Sequence, residues 1–371
     1  MMLAASCRRP IMRKLSLLAV VILKTFASAE ENGNQGIDSL VEWIRNSGGS
    51  VDSRQEVRKG RFKKPRGVFA KDEIEEGALL CSVPWSNIIK PTENVEGNSG
   101  KCSTARALAK ELSLGEESKF GPFVKILSDL GRPSLPETWS EAGRELLDKV
   151  LGKFIAPQDY MRFGKWWREE CKGDPAVAPE FDAVLLMVTR AADVALSDEG
   201  TASQAAMVPF YDLYNHRNGP SHNTRVEAAV GQEFKVYATR AIKKGEEIYN
   251  SYGNSTSEMF RDYGFIETIP QMWKFDFGGG KETEYVMDTG IDGALFPYWV
   301  NRPDSKTTAA MEKELKRLIA VEIDNFSWTR KKVKSGELAK EEMDTIWSYH
   351  GALMNAIDHT IIVAYGGGPV E

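Results

Sequence analysis

The sequence predicts an α+β fold, in which a core of short strands is split by a helical insert and followed by a mostly helical C-terminal part. Three observations carry this. Short runs with period-two alternation or turn-bounded apolar clusters fall in two places, around residues 67–90 and again from 205 to 252. The stretch between them, 101–197, instead repeats apolar side chains every three or four positions. After a short strand region near Trp273, the helical period returns to the end of the chain. Two strand-rich pieces arranged this way can pair into one β core around the insert. Composition agrees with a soluble globular chain: 371 residues, 42% hydrophobic and 27% charged. That apolar content excludes disorder as the main state. A multi-pass membrane protein is excluded as well. The longest apolar run, Leu15 to Leu23, is about half of the ~20 residues a span requires.

The elements follow in order. Arg8, Arg9, Arg13 and Lys14 precede the Leu15–Leu23 run and Ala27-Ser28-Ala29 follow it, the pattern of a secretory signal peptide over residues 1–29. Its removal takes away five basic and no acidic residues and moves the net charge from −5 to −10. Such an acidic chain repels phosphate backbones, so nucleic acid is not an expected partner, whereas a basic protein or peptide is favoured. Residues 30–36 are polar and read as a flexible start. Ile37 to Asn46 places Leu40, Val41 and Ile44 at helical spacing, and Gly48-Gly49 stops that helix. The basic run Arg58 to Arg66 reads as a solvated loop that could steer an acidic partner. Gly67 to Ala70 reads as a strand, Lys71 to Gly77 as a polar turn, and Ala78 to Val83 as a second strand closed by Pro84. In the insert the clearest helix runs from Pro179 to Leu196, with a proline near its start. Trp166-Trp167 with Phe163 reads as insert core rather than a substrate platform. Glu233 to Ala238 alternates like a strand, a turn at Lys243-Lys244-Gly245 feeds another strand over Ile248 to Tyr252, and Trp273 to Phe277 is a short strand region. Thr307–Val333 and Ala339–Val363 are helical, and Gly366-Gly367-Gly368 is a flexible tail.

Most catalytic templates are absent. There is no G-x-S-x-G, P-loop, H-E-x-x-H or strand-following G-x-G-x-x-G. His216 and His222 are six apart in a Gly/Pro/Asn loop, which fits no zinc spacing, and no metal is expected. Beyond the leader only Cys81, Cys102 and Cys171 remain, an odd, sparse set without a disulfide framework, and Cys81 sits in an apolar stretch that predicts burial. These cysteines do not match the oxidising lumen to which a signal peptide leads. Sequons occur at Asn254 and Asn325.

What remains is Val208 to His216, then Ala241 to Gly253, then Tyr263-Gly264-Phe265. Locally, the Asn215-His216 pair can accept and donate several hydrogen bonds, as a heteroaromatic ligand edge requires. A turn cap with an internally satisfied histidine fits the local sequence better, and Tyr252 at a strand end is by itself a packing residue.

Together and in this order, with Arg66 to Gly77 upstream, these segments resemble a SET-domain protein methyltransferase. They are most similar to the class of the Rubisco large-subunit lysine methyltransferase, which also contains the actin histidine methyltransferase. The resemblance covers residues 38–365, although its specific motifs occupy about a fifth of that. It implies a SET β core split by a helical insert, with a helical substrate-binding domain after it. The implied boundaries are 38–100 and 201–268 for the two SET pieces, 101–200 for the insert and 269–365 for the last domain. It implies S-adenosyl-L-methionine as cofactor, a protein lysine as target and a non-histone protein as substrate. Histidine methylation, or a SET-like binding module without turnover, are the alternatives. By position, Asp212 to His216 matches the D-x-x-N-H segment in which the Asn-His pair holds the cofactor, chiefly through backbone contacts. Tyr252 matches the catalytic tyrosine of S-Y-G. Arg190 matches an arginine on the cofactor carboxylate, and Tyr263, Gly264 and Phe265 match the segment lining the cofactor and target-lysine channel, to which Tyr211 would add a wall. Methyl transfer from a sulfonium to an amine is an in-line displacement that needs alignment and a dry path, and aromatic walls around a cationic amine suit it.

Arg217, Asn250 and Ser257 depart from the family's usual residues, which bears on the channel's shape. A glycan at Asn254 would obstruct a cleft at Tyr252, so Asn254 is expected to be unmodified, either because it is buried or because the protein leaves the lumen. The expected state is a monomer without stable membrane insertion. Its expected address is the secretory pathway, or a plastid or other organelle reached through a signal-bearing presequence.

Overall fold

A computed structural model describes residues 35–60, 66–91, 97–196, 203–277, 282–289 and 295–366. The signal-peptide segment, the first residues of the polar start, Arg61 to Pro65 of the basic run and the tail beyond Gly366 lie outside the described residues. Helix α1 covers 35–46 and buries Ile37, Leu40 and Ile44, with Val41 half-buried beside them. Strands β1 (Ser50–Val51), β2 (Gln55–Lys59), β3 (Arg66–Ala70) and β4 (Leu79–Val83) follow. The insert then supplies α2 (Gly97–Leu114), α3 (Gly121–Leu130), α4 (Glu141–Leu151), α5 (Arg162–Glu169) and α6 (Ala178–Arg190). The chain returns to strands with β5 (Ala192–Ala195), β6 (Ser203–Ala206), β7 (Asn215–His216), β8 (Thr224–Glu227), β9 (Phe234–Ala238) and β10 (Glu247–Asn250), and then forms α7 (Thr256–Tyr263). The last part holds β11 (Gln271–Phe275), β12 (Thr283–Thr289), β13 (Leu295–Asn301), α8 (Ser305–Ser335) and α9 (Lys340–Gly366).

The two strand-rich pieces do meet. Antiparallel β3 and β10 set Val68 opposite Ile248, and β4 pairs β9 with Cys81 opposite Val236, giving sheets ordered β2-β3-β10-β7 and β1-β4-β9-β8. The buried residues Val68, Leu80, Cys81, Val83, Phe234, Val236 and Ile248 explain the register, because a one-residue slip would turn this set to water.

Four expectations are corrected. Arg58 and Lys59 are strand rather than loop: β2 pairs with β3 along its length, and the Arg58 guanidinium lies 3.6 Å from the centre of the Phe69 ring. The helix expected to reach Leu196 ends at Arg190. Asp193 and Val194 pair instead with Gln204 and Ala205 in the β5–β6 ribbon, which buries Val194 completely, so tertiary pairing overrides the alanines' helical propensity. The stretch after Phe275 is not mainly helical at first, since β12 and β13 complete a three-stranded antiparallel sheet with β11. Finally, Cys102 and Cys171 form a disulfide that ties α2 to the chain just beyond α5, leaving only Cys81 free among the described cysteines. Cys81 is fully buried, and burial pushes its thiol up to about 12.

The hydrophobic side chains divide into two cores, and the insert is shared between them. α2, α3 and α6 pack with the SET strands, whereas Leu146, Leu147 and Val150 of α4 join Leu318 of α8 and Tyr349, Leu353 and Ile357 of α9. The Ser140 hydroxyl caps α4 by accepting from the Gly143 backbone at 3.0 Å, and it donates to Glu342 in the first turn of α9 at 2.6 Å. Among the described residues no helix is long and apolar enough to cross a membrane.

Candidate active site

The site is built where β7 runs parallel to β10, Asn215 beside Tyr249 and His216 beside Asn250. Entry into β7 is a forced turn. Phe210, buried in the core, holds φ at +68°, a conformation rare for a bulky residue, and reverses the chain into the segment Tyr211–Leu213. Gly67 of β3 lies against the start of β7. A Cβ there would fall 2.6 Å from Asn215 Nδ2 and 2.3 Å from Glu247 Oε1, so a larger residue would push both side chains from their present places. Asn215 uses its amide nitrogen on the Arg66 carbonyl, at 3.0 Å, and on Glu247, at 2.8 Å.

His216 is turned inward. Its Nδ1 accepts from the Tyr252 backbone N–H at 2.9 Å, so Nε2 carries the ring proton and donates to Glu267 at 2.8 Å. The Glu267 carboxylate also accepts from Thr256 Oγ1 at 2.8 Å and from Asn218 Nδ2 at 3.0 Å. Asn218 in turn donates to the Gly253 carbonyl at 2.9 Å and accepts from the Ser251 hydroxyl at 2.8 Å. This network clamps the Ser251-Tyr252-Gly253 backbone on both sides of the tyrosine. The Tyr252 hydroxyl donates to the Tyr214 carbonyl at 2.6 Å. Burial raises its pKa well above that of a free phenol, so it stays a neutral donor near pH 7.

Tyr252 stacks on Tyr263 with ring centres 4.9 Å apart, and Phe265 lies 6.2 Å from Tyr263. Tyr263 ends α7, and Gly264 caps that helix with φ at +74°. A Cβ on Gly264 would come within 2.3 Å of the Ser134 carbonyl, so the residue shapes the turn that aims both rings.

These groups open onto a cleft of about 1390 Å³, lined among others by Arg190, Asp212, Asn215, Tyr252, Tyr263 and Phe265. Arg190 is the last residue of α6 and meets Asp212 through Nη1, 3.1 Å from the carbonyl and 3.4 Å from Oδ2. The Asp212 side chain is fully buried and its Oδ1 has no partner. Burial lifts its pKa to about 6 against the opposing pull of Arg190. The Arg190 guanidinium, still partly exposed on the cleft, suits the carboxylate end of a ligand.

Of the residues singled out in the sequence, the six above share the cleft. His216 and Gly264 act from behind its wall. Tyr211 lines neither this cleft nor its neighbour: Asn250 donates to its hydroxyl and its ring packs edge-on to Phe234. Arg217 donates to the Ile269 carbonyl at 3.1 Å, and Ser257 is buried under Tyr349. Asn254 is exposed two residues beyond Tyr252, so burial does not shield that sequon. A second cavity, of about 490 Å³, also touches Tyr263 and is lined by Trp166 and Asp193. Trp167 is core as expected, while Trp166 reaches this second space. Among the described residues no cluster of three or more His, Cys, Asp or Glu could hold a metal ion. Sequence reasoning missed Glu267, Asn218 and Glu247. Nothing in a lone glutamate between Ile266 and Thr268 announces that it will be buried against a histidine.

The chain is similar in sequence to known proteins. The SET domain model matches residues 65–253, half of the chain. N-lysine methyltransferase setd6 of Salmo salar is 23% identical over 265 residues, covering 63% of this chain and 58% of that protein. N-lysine methyltransferase SETD6 of Rattus norvegicus is 25% identical over 297 residues, covering 72% and 61%. The chain thus spans about three-fifths of the length of the curated relatives it matches. A crystal structure of the SET domain of LSMT bound to lysine and AdoHcy aligns over 90% of this chain and 91% of that one, with a TM-score of 0.49 and 14% identity. The match to the family model runs from the start of β3 through the Tyr252 segment and takes in both halves of the split core, so the chain belongs to the SET-domain family.

Proposed function

We propose that this protein is an S-adenosyl-L-methionine-dependent protein-lysine N-methyltransferase acting on a non-histone protein. The observation that carries this is the shared cleft: Tyr252 and Asn215, 37 residues apart in sequence, line one cavity whose aromatic wall, Tyr263, also lines a second. Bound in the cleft, the cofactor supplies an electrophilic methyl group on a sulfonium. Arg190, partly exposed on the cleft, would offer its guanidinium to the cofactor carboxylate. Asn215 makes both of its side-chain hydrogen bonds through its nitrogen, which leaves its oxygen for the adenosine end. The Tyr252 hydroxyl, fixed to the Tyr214 carbonyl on the cleft wall, would present oxygens to a methyl group held there. Tyr263 and Phe265 exclude water and stabilise positive charge on the approaching amine. The curated relatives are named as lysine methyltransferases, which supports lysine over histidine as the target.

Tritiated-methyl transfer to a proteome extract tests this, with wild type compared against Tyr252→Phe and Asn215→Ala. Label in lysine after hydrolysis, lost in both variants, is the expected result. Label in histidine would move the target to that residue, and cofactor binding without any labelled product would make the protein a binding module.

The same proposal extends to address: the protein enters the secretory pathway by its N-terminal leader, the alternative being a plastid or other organelle reached through a signal-bearing presequence. The Cys102–Cys171 disulfide supports an oxidising compartment. A C-terminally tagged full-length chain that stays cytosolic would overturn this. The boundaries 38–100, 101–200, 201–268 and 269–365 stand as the proposed domains, with α4 of the insert packed on the last one.

A further inference from the structure

The second cavity lies between the start of α2, the end of α5 and strand β5. It meets the main cleft at one side chain, Tyr263. In-line transfer brings the amine from the face opposite the donor, so a donor held in the main cleft leaves this cavity for the acceptor's chain.

Asp193 stands on its lining. In β5 the buried Ala192 and Val194 point to the core, and Asp193 between them points outward and is exposed. It makes no ion pair among the described residues. Asp262, on the same lining, is already held by Arg162 at 2.8 Å and by Arg261 at 2.6 Å. Lys101, Arg162 and Lys165 share this lining with Glu169, Glu170 and the two aspartates, so the cavity as a whole is not strongly acidic. Burial raises the pKa of Tyr263, and neighbouring negative groups add to it, Asp262 first and Asp193 among them. Asp193 therefore puts an exposed, unpaired negative charge on the lining that Tyr263 shares.

That charge is poorly placed to serve the target amine itself. A carboxylate beside the amine would stabilise the ammonium, and only the neutral amine attacks. Its exposed position suits the part of the substrate that stays outside. We propose that Asp193 is a specificity-determining residue that selects substrates carrying a second cation, arginine or lysine, within two residues of the target lysine. This rests on the methyltransferase reading above.

The test uses nonapeptides with a central lysine, in which each flanking position in turn is alanine, arginine or glutamate. Binding is read by fluorescence anisotropy of the labelled peptide and methyl transfer by tritium incorporation, both with the full-length protein. The expected result is an arginine preference of about fivefold, carried by Kd and KM. It should vanish in Asp193→Asn and turn toward glutamate in Asp193→Lys. An arginine preference that survives in Asp193→Asn, or no charge preference in wild type, would overturn the assignment. Charge-dependent binding without transfer to any peptide would sink the methyltransferase reading while leaving Asp193 as a binding determinant. Transfer that ignores flanking charge would do the reverse.

Discussion

At the scale of single residues, the site separates groups that meet the ligand from groups that hold them. Tyr252→Phe removes one hydroxyl bonded to a carbonyl and leaves the ring stack with Tyr263 intact. Stability should fall by only about 1 kcal/mol in urea unfolding, while methyl transfer should drop by about two to three orders of magnitude. Asp212 has a pH signature of its own. Its carboxyl titrates near 6 in the fold against 3.8 for the free group, so the folded state binds that proton more tightly than the unfolded chain does. Its contribution is most favourable below about pH 3.8 and is lost as the pH rises toward 6, by up to about 3 kcal/mol. Asp212→Asn should flatten the stability profile between pH 4 and 6 and raise stability at pH 7, measured by urea midpoints across that range. An unchanged slope would mean that Asp212 is ionised at no net loss in the fold. Much of this site was legible in the sequence, because Asp212, Asn215, His216, Tyr252 and the 263–265 segment occur as recognisable short strings in a fixed order. Glu267 was not. Its role comes from meeting His216 and Thr256 across the fold, and burial of a charge is set by what surrounds it in space.

At the scale of elements, the legible features were those whose period is strong and local. The apolar alternation of β9 and the helical spacing of α6 could be read directly, and so could the turn at Gly245. What escaped were pairings decided at long range. β5 has the alanines of a helix end but is drawn into a ribbon with β6, and β2 carries three charged residues yet is held by its full register with β3. The same limit hid the disulfide, since two cysteines 69 residues apart carry no mark of adjacency until α2 and the end of α5 pack. That bridge closes a long loop of the unfolded chain, so its loss should destabilise by about 2–4 kcal/mol. The double variant Cys102→Ser/Cys171→Ser should melt well below wild type without reductant and be insensitive to dithiothreitol, whereas wild type with dithiothreitol should fall to the same midpoint. Melting curves of wild type that coincide with and without reductant would show that the bridge carries no stability.

At the scale of the whole molecule, the proposed substrate domain is also part of the catalytic domain's foundation. α7 faces two ways. Its Phe260 is fully buried and stacks on Tyr349 of α9 at 4.0 Å between ring centres, while three residues later Tyr263 walls the cleft. The Tyr349 hydroxyl also donates to the Ala156 carbonyl, next to the insert's α4, and Trp139, Leu146 and Leu147 fill the same core. Residues 269–366 therefore cannot be removed as an independent unit. A chain ending at 268 would expose Trp139, Leu146, Leu147 and Phe260, all nearly or fully buried in the intact protein, a patch that promotes aggregation. Such a truncation should be insoluble or bind a hydrophobic dye strongly. A finer probe is Tyr349→Ala, which removes the stacking partner of Phe260 and should cost about 3–5 kcal/mol. Because α7 links that core to Tyr263 within a single turn, methyl transfer should fall even under conditions where the variant is fully folded by circular dichroism. A truncated chain that purifies as a soluble monomer and retains cofactor binding would show that the two cores are separable and that the cleft needs no support from behind.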